Sequence, residues 1–533
     1  MNDNPYTFDA FLEKRMSYDF YRDDPFLQRT LKKHAASEWD SLHSKMLEFS
    51  PKVSFRWRDM ADKIARPEAR PYILHYDAHN HRVDRIVRPL ETVAMENEVF
   101  SLGLFSRHIT PWEQFTKRFL LYQLGEAGVT CPITCTDGLI ALIEHYPDHG
   151  VPKLDRILAH CKEGIEGDFA IGAQFMSEIQ GGSDIPANLL EAVPDGGNYR
   201  IYGNKFFCSA MQADYAVVTA RVVGSQKVGT FVVPSWLPGN KDRECRNGCV
   251  INRLKWKMGT SELPTAEVDF NGAVAYAIGP VDRGVASAVG IVLTLSRIAV
   301  GVSSGATMLR AAREALMYSR FRDAFGMKID QFPMAARQVR NLVETAQRTT
   351  AGAFRLFDLF IRLGSKLQPG LASGDPLETR KQRFNLRELI LMQKVTTAYE
   401  TVDVIRLAMS IFGGHGVMED FSSLPRLFRD ATVNELWEGP RNVLLTQIYR
   451  DLQRASEWYG PSEFIANILE GSPKELVDHF SSTLKKLLSR PMSGLDEEVM
   501  RMAGEWEEFC DSLFRTYQKQ ALAEVGEAPI INE

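Results

Sequence analysis

The chain has 533 residues, of which 44% are apolar and 25% charged, and its formal net charge is −5. That length exceeds a single hydrophobic core and calls for two to four packed units of ordinary globular composition. The small negative net charge gives no electrostatic reason to expect nucleic acid, while leaving room for a local basic patch, and no stretch approaches the roughly 18 uncharged apolar residues of a membrane-spanning helix.

The opening residues, MNDNPYTFDAFLEKRMSYDF, are polar and acidic and carry no apolar segment of a secretion signal, so a cytoplasmic protein is expected. Residues 1–167 read as a mainly helical unit, with amphipathic stretches such as residues 111–125. Residues 72–87 (YILHYDAHNHRVDRIV) interrupt them as a loop or short hairpin. Cys131 and Cys135 begin an odd set of seven cysteines, which fits reduced thiols better than a disulfide framework. Neither that pair nor Cys245/Cys249 is joined by a second Cys/His pair at zinc-finger spacing, so no metal is expected.

Residues 168–283 change texture. Short β-branched and aromatic runs alternate with turn signals, which predicts a β domain. Gly196-Gly197 and Gly203-Asn204 bracket YRIY as two hairpin turns would. Phe175 to Asp184 holds Ser177, Gly181-Gly182 and Ser183. It is either a plain turn or a loop that lets backbone approach a polar ligand. Phe207 and Ser209 stand two residues apart on one strand face, where a ring packs on a flat ligand or simply faces inward.

Helical periodicity returns over residues 284–460. The proline-free runs 291–319 and 380–412, the run 333–363 that opens on Pro333, and 440–459 predict a four-helix bundle. At the end of the first run, the arginines of RFRDAFG either cap the helix or bind a pyrophosphate. His415 sits between glycines, suited to touching a ligand backbone or to catalysis. Glu438 lies between Trp437 and Gly439, ahead of a helix opened by Pro440. A carboxylate desolvated by an apolar ring becomes a base near neutral pH, whereas an exposed surface glutamate is the ordinary alternative. The last segment, 461–533, carries an apolar helical stripe from Leu476 to Leu488. Its seven Lys/Arg against fourteen Asp/Glu repel phosphate, so DNA is not expected there, and packing on protein is favoured over lying on a membrane.

In chain order, SEIQGGSD (177–184), GNKFFCS (203–209), RDAFG (322–326), FGGHG (412–416), RD (429–430) and WEG (437–439) together resemble the acyl-CoA dehydrogenase superfamily. GVTCPIT (128–134), YDAHNHRVD (76–84) and QGGSD (180–184) are similar to its AidB-like branch, and the resemblance spans roughly residues 70–450. It implies an α+β, mostly α fold: an N-terminal helical domain, a middle β-barrel or sandwich, a C-terminal four-helix bundle and a helical extension.

The resemblance also implies noncovalent FAD, with Met176, Ser177, Phe207 and Ser209 lining the isoalloxazine and Gly182 and Ser183 joining flavin to substrate. Arg322, Phe325, Gly413 and Gly414 would bind the adenosine-pyrophosphate across a subunit interface of a homotetramer, a dimer of dimers. Glu438 would remove the α-proton of an acyl-CoA while a β-hydride passes to flavin N5. Ser183, Arg297, Glu438 and Gly439 would touch substrate, and an electron-transferring flavoprotein would take the electrons. The same resemblance leaves two alternatives, an AidB-like flavoprotein with a DNA-binding or alkylation-stress role, and an oxidase that uses O2. Three positions depart from the pattern: Pro440 for a usual Thr or Ser, Ser410 for a common glutamine, and Thr294 for a frequent aspartate.

Overall fold

A computed structural model describes residues 6–225, 227–363 and 375–532, so the first five residues of the opening polar stretch lie outside the described residues. Eight helices come first: α1 (Asp9–Ser17), α2 (Pro25–His34), α3 (Trp39–Pro51), α4 (Arg58–Ile64), α5 (Leu90–Phe100), α6 (Pro111–Tyr122), α7 (Ala127–His145) and α8 (Pro152–Glu163). Their starts follow local chemistry. The Thr110 hydroxyl accepts from Glu113 N at 3.2 Å ahead of Pro111, and the Glu126 carboxylate accepts from Val129 N at 2.8 Å to open α7. Residues 72–87 form a hairpin of β1 (Tyr72–Tyr76) and β2 (Arg82–Val87). Its turn is held by Asp77, whose Oδ1 accepts from His79 N and His81 N.

The β region comprises β3 (Gly172–Phe175), β4 (Glu191–Asp195), β5 (Asn198–Ser209), β6 (Tyr215–Val222), β7 (Val228–Pro234), β8 (Cys249–Leu254) and β9 (Thr265–Ala277). Neighbours run β6-β4-β5-β9-β7, and β7 pairs back onto β6, closing a barrel. β3 extends one edge of β6 in parallel, and β8 flanks β9. Closure removes the open edges that a flat sheet of this size would expose.

Gly196-Gly197 is the two-residue turn between β4 and β5, with φ of 54° and 88° at its two residues. Gly203-Asn204 is not a second turn. β5 runs through it, and Gly203 (φ 119°) follows a register shift between Ile201 and Tyr202. A Cβ there would come within 3.1 Å of Leu190, so this glycine marks close packing inside a long strand.

After a short α9 (Gly284–Ser287) and a π-type turn, α10 (Leu293–Phe321) runs through the core. A two-residue ribbon follows, β10 (Asp323–Ala324) with β11 (Met327–Lys328). Then come α11 (Pro333–Arg362), α12 (Leu377–Phe412), α13 (Leu424–Leu436), α14 (Arg441–Ala455), α15 (Pro461–Ile468), α16 (Lys474–Leu488) and α17 (Glu497–Val525). α10 packs on both α11 and α12, and α14 lies against α12.

The segment after residue 460 is woven into these helices. Gln518 of α17 takes a hydrogen bond from Arg348 of α11 at 3.0 Å, and Asp511 takes one from Thr396 of α12 at 2.8 Å. Phe480, Leu484 and Leu487 of the apolar stripe are buried, and Tyr449 of α14 donates to Leu487 O. The stripe therefore packs on the chain's own helices. Residues 127–145 and 284–321 are long and apolar enough to cross a membrane, contrary to the reading of composition alone, and 67% of each qualifying window is buried inside the fold.

Candidate active site

A cavity of about 710 Å³ opens where α7, the β barrel, the first half of α10 and the α13–α14 junction meet. It is lined by Met176, Ser177, Gly182, Ser183, Phe207, Ser209, Arg297, Glu438 and Gly439. Nine positions chosen on sequence motifs thus converge from three parts of the chain. Arg322, Phe325, Gly413 and Gly414 line no part of it.

Glu438 reaches the cavity because the chain turns sharply between two helices. α13 ends at Leu436, Trp437 is extended, and Glu438 (φ 60°) and Gly439 (φ 103°) both take positive φ before α14 begins. A non-glycine residue held left-handed costs about 1–2 kcal/mol, so surrounding contacts must impose it. Lys394, buried on α12, donates to Glu435 O and Gly439 O, both at 2.6 Å. Arg297 Nε donates to Glu438 O at 3.0 Å. Two cations thus clamp the carbonyls on either side of the turn.

The Glu438 carboxylate accepts from Gln174 Nε2 at 3.0 Å. Burial pushes its pKa up to about 7, against the opposing pull of Arg297, Lys394 and the Gln174 hydrogen bond. Burial also lowers Lys394 to about 8 and Arg297 to about 10. The result is a carboxyl that changes charge near neutrality at a cavity wall, the property a general base requires.

The 177–184 loop is fixed by a second buried charge pair. Lys205 of β5, fully buried, donates to Glu178 Oε1 at 2.8 Å and to Met176 O at 3.0 Å. The same carboxylate accepts from Leu189 N at 2.6 Å and Leu190 N at 3.1 Å, and the Lys205 contact helps hold its pKa down despite burial. With the loop pinned, Gly182 passes so close to Ser177 that an added Cβ would lie 2.4 Å from Oγ.

The residues fit a flat cofactor with a polar edge. The Phe207 ring is half exposed toward the cavity, Ser209 offers a hydroxyl on the same strand, and Gln174 Oε1 is buried with no protein partner among the described residues. An orphaned buried acceptor in a cavity wall is a place for a ligand's donor.

Asp430 of the RD motif is buried in the cavity wall, whereas the residues assigned to the adenosine-pyrophosphate stand outside it. Phe325 is 98% exposed at φ 50°, and Gly413 and Gly414 are exposed with nothing within 4 Å of where a Cβ would stand. Arg322 lies over the Tyr6 ring at 4.7 Å. His415 is half-buried: its Nδ1 pairs with Tyr318 OH at 3.0 Å, its ring stacks on Phe421 at 4.4 Å, and it lines no part of the cavity. Of the departures, Pro440 lines the cavity, whereas Thr294 bonds back to Val289 O and Ser410 to Arg406 O.

Motif reading missed Gln174, Lys394 and Lys257. Lys394 left a trace, a lone cation in the apolar run LILMQKV of α12, where burial demands a partner. Gln174 and Lys257 carried no comparable signal.

Two family profiles match the chain: acyl-CoA dehydrogenase, middle domain, over residues 173–273, and acyl-CoA dehydrogenase, C-terminal domain, over residues 282–453. Acyl-CoA dehydrogenase family member 11 of Caenorhabditis elegans is 30% identical over 447 residues, covering 81% of this chain and 70% of that protein. Putative acyl-CoA dehydrogenase AidB of Escherichia coli (strain K12) is 27% identical over 449 residues, covering 80% and 77%. The crystal structure of Caenorhabditis elegans ACDH-11 in complex with C11-CoA superposes with a TM-score of 0.79 at 25% identity, covering 95% of this chain and 87% of that one.

Proposed function

This chain belongs to the acyl-CoA dehydrogenase family, and on that premise we propose that Glu438 is the base that removes the α-proton of an acyl-CoA bound in the cavity. The family makes it an FAD-dependent oxidoreductase acting on acyl-CoA thioesters. Bound FAD supplies the acceptor for the β-hydride. Everything else is the work of this chain's side chains and backbone.

The observation that carries the reading is the placement of one carboxylate near pH-neutral titration at a cavity wall, in a turn clamped by Arg297 and Lys394. Ionised, it accepts a proton at no great driving-force penalty; protonated, it is the group burial favours. Gln174 Nε2 orients it by donating to Glu438 Oε1, leaving the second carboxylate oxygen for the substrate. Arg297, another lining residue of the same cavity, fixes the Glu438 carbonyl with Nε. The apolar walls exclude water and keep these charges effective.

Met176, Ser177, Phe207 and Ser209 are proposed to meet the isoalloxazine, with Gly182 and Ser183 between flavin and thioester. Arg322, Phe325, Gly413 and Gly414 are proposed to serve the adenosine-pyrophosphate of a second copy in a homotetramer, which is why they stand exposed on a single chain. An electron-transferring flavoprotein is the proposed acceptor. The test is anaerobic titration of the bound flavin with a panel of acyl-CoAs of graded length and branching. Bleaching by at least one thioester supports the reading; a flavin that none of them reduces overturns it.

A further inference from the structure

Lys257 lies in the cavity wall, in the loop between β8 and β9, and its ammonium is committed three ways. Nζ donates to Thr260 Oγ1, Leu263 O and Thr265 Oγ1, each at 3.0 Å. An ammonium has three hydrogens and no acceptor, so these bonds have only one sense.

The sense then propagates. Thr265 Oγ1 lies 3.0 Å from Ser209 Oγ, and the two residues are ladder partners at the adjoining ends of β9 and β5, so the sheet sets their separation. Thr265 has one hydrogen to place. The alternative acceptor, Leu263 O, is 3.4 Å away and already takes a bond from Lys257. The shorter bond to Ser209 wins. Ser209 then accepts, and its own hydrogen is left for the cavity that it lines.

We propose that Lys257 is a positioning residue that acts on the cofactor through Thr265, holding the Ser209 hydroxyl as a charge-assisted donor aimed at the ring edge. The inference rests on the reading that Ser209 meets the flavin. A donor backed by a cation at one end of a hydrogen-bonded chain is stronger than a free hydroxyl, and it favours the electron-rich reduced ring over the oxidised one.

The test is a potentiometric titration of the FAD-loaded protein against a two-electron reference dye, with flavin absorbance reporting occupancy throughout. Lys257→Met and Thr265→Val are each expected to shift the equilibrium about tenfold toward oxidised flavin, ~30 mV for two electrons. Their combination should shift it no further than either alone, because both cut one chain. Thr265→Ser keeps the hydroxyl and should stay at the wild-type potential, which preserves the test if Lys257→Met fails to fold. Wild-type potentials in Lys257→Met and Thr265→Val, with Ser209→Ala shifted, would overturn the relay and leave the flavin reading intact. An unshifted Ser209→Ala overturns the placement of Ser209 at the flavin, and the relay with it.

Discussion

The cavity around Glu438 and the surface around Phe325 carry motifs of the same family, yet one is assembled and the other is bare. At Glu438, residues from β3, α10 and α12 converge on one turn: Gln174 on its carboxylate, Arg297 and Lys394 on its carbonyls. At Phe325, a large ring is 98% exposed beside a strained backbone, and Gly413 and Gly414 face open space. Exposed apolar rings and positive φ are costs without a local return. The contrast teaches that a motif's chemistry is complete within one chain only where other segments of that chain supply its supports.

The sharpest way to break the comparison is at Glu438. Glu438→Gln should retain FAD but slow substrate-dependent flavin reduction on the order of 10²–10⁴-fold, measured by stopped-flow. In the wild type that rate should rise with pH through about 7, as the carboxyl ionises. Undiminished reduction by the variant would remove Glu438 from the chemistry.

Next in size is the buried pair that pins the 177–184 loop. Lys205→Met leaves Glu178 buried without its counter-charge, which should cost ~3–5 kcal/mol in urea unfolding. A loss under 1 kcal/mol would mean the loop does not depend on that pair.

A smaller effect comes from linkage at Glu438. Its folded pKa of about 7 exceeds the ordinary 4.5, so between those values the native state binds more protons than the unfolded one. Its contribution to stability therefore falls as pH rises from about 4.5 to 7 and is fully unfavourable above that. Glu438→Gln should thus be more stable than wild type at pH 8 by ~1–3 kcal/mol, with the difference closing toward pH 4.5. Equal thermal midpoints at both pH values would contradict the burial of this carboxylate.

The smallest stability change belongs to the bare surface. Phe325→Ala should alter monomer unfolding by less than ~0.5 kcal/mol, while weakening FAD retention and self-association in sedimentation. Wild-type flavin content and assembly in that variant would make the exposed ring irrelevant to both.

Much of this molecule was legible in its residues. The period-3.6 runs placed α10, α11 and α12 within a few residues of their ends, and Gly196-Gly197 announced the β4–β5 turn. Glu438 stood out beside Trp437 and Gly439, and short motifs marked both the cavity and the bare surface. Such signals survive because they are local: hydrophobic period, turn chemistry and close backbone approach each act over a few neighbours.

What only the tertiary structure decided involves groups far apart in the chain. Gly203 looked like a turn and is a packing glycine inside β5, because Leu190 lies over it. His415, between glycines in the sequence, is placed against Tyr318 and Phe421, 97 positions before it and 6 after it. Residues 461–533 are expected from their sequence to pack on protein, and the structure supplies the partners, with α17 bonded to α11 and α12. Above all, the pKa of Glu438 is set by burial and opposed by Arg297, Lys394 and Gln174, which lie 141, 44 and 264 positions away. Desolvation and through-space charge depend on which segments meet, and that is a property of the packed chain.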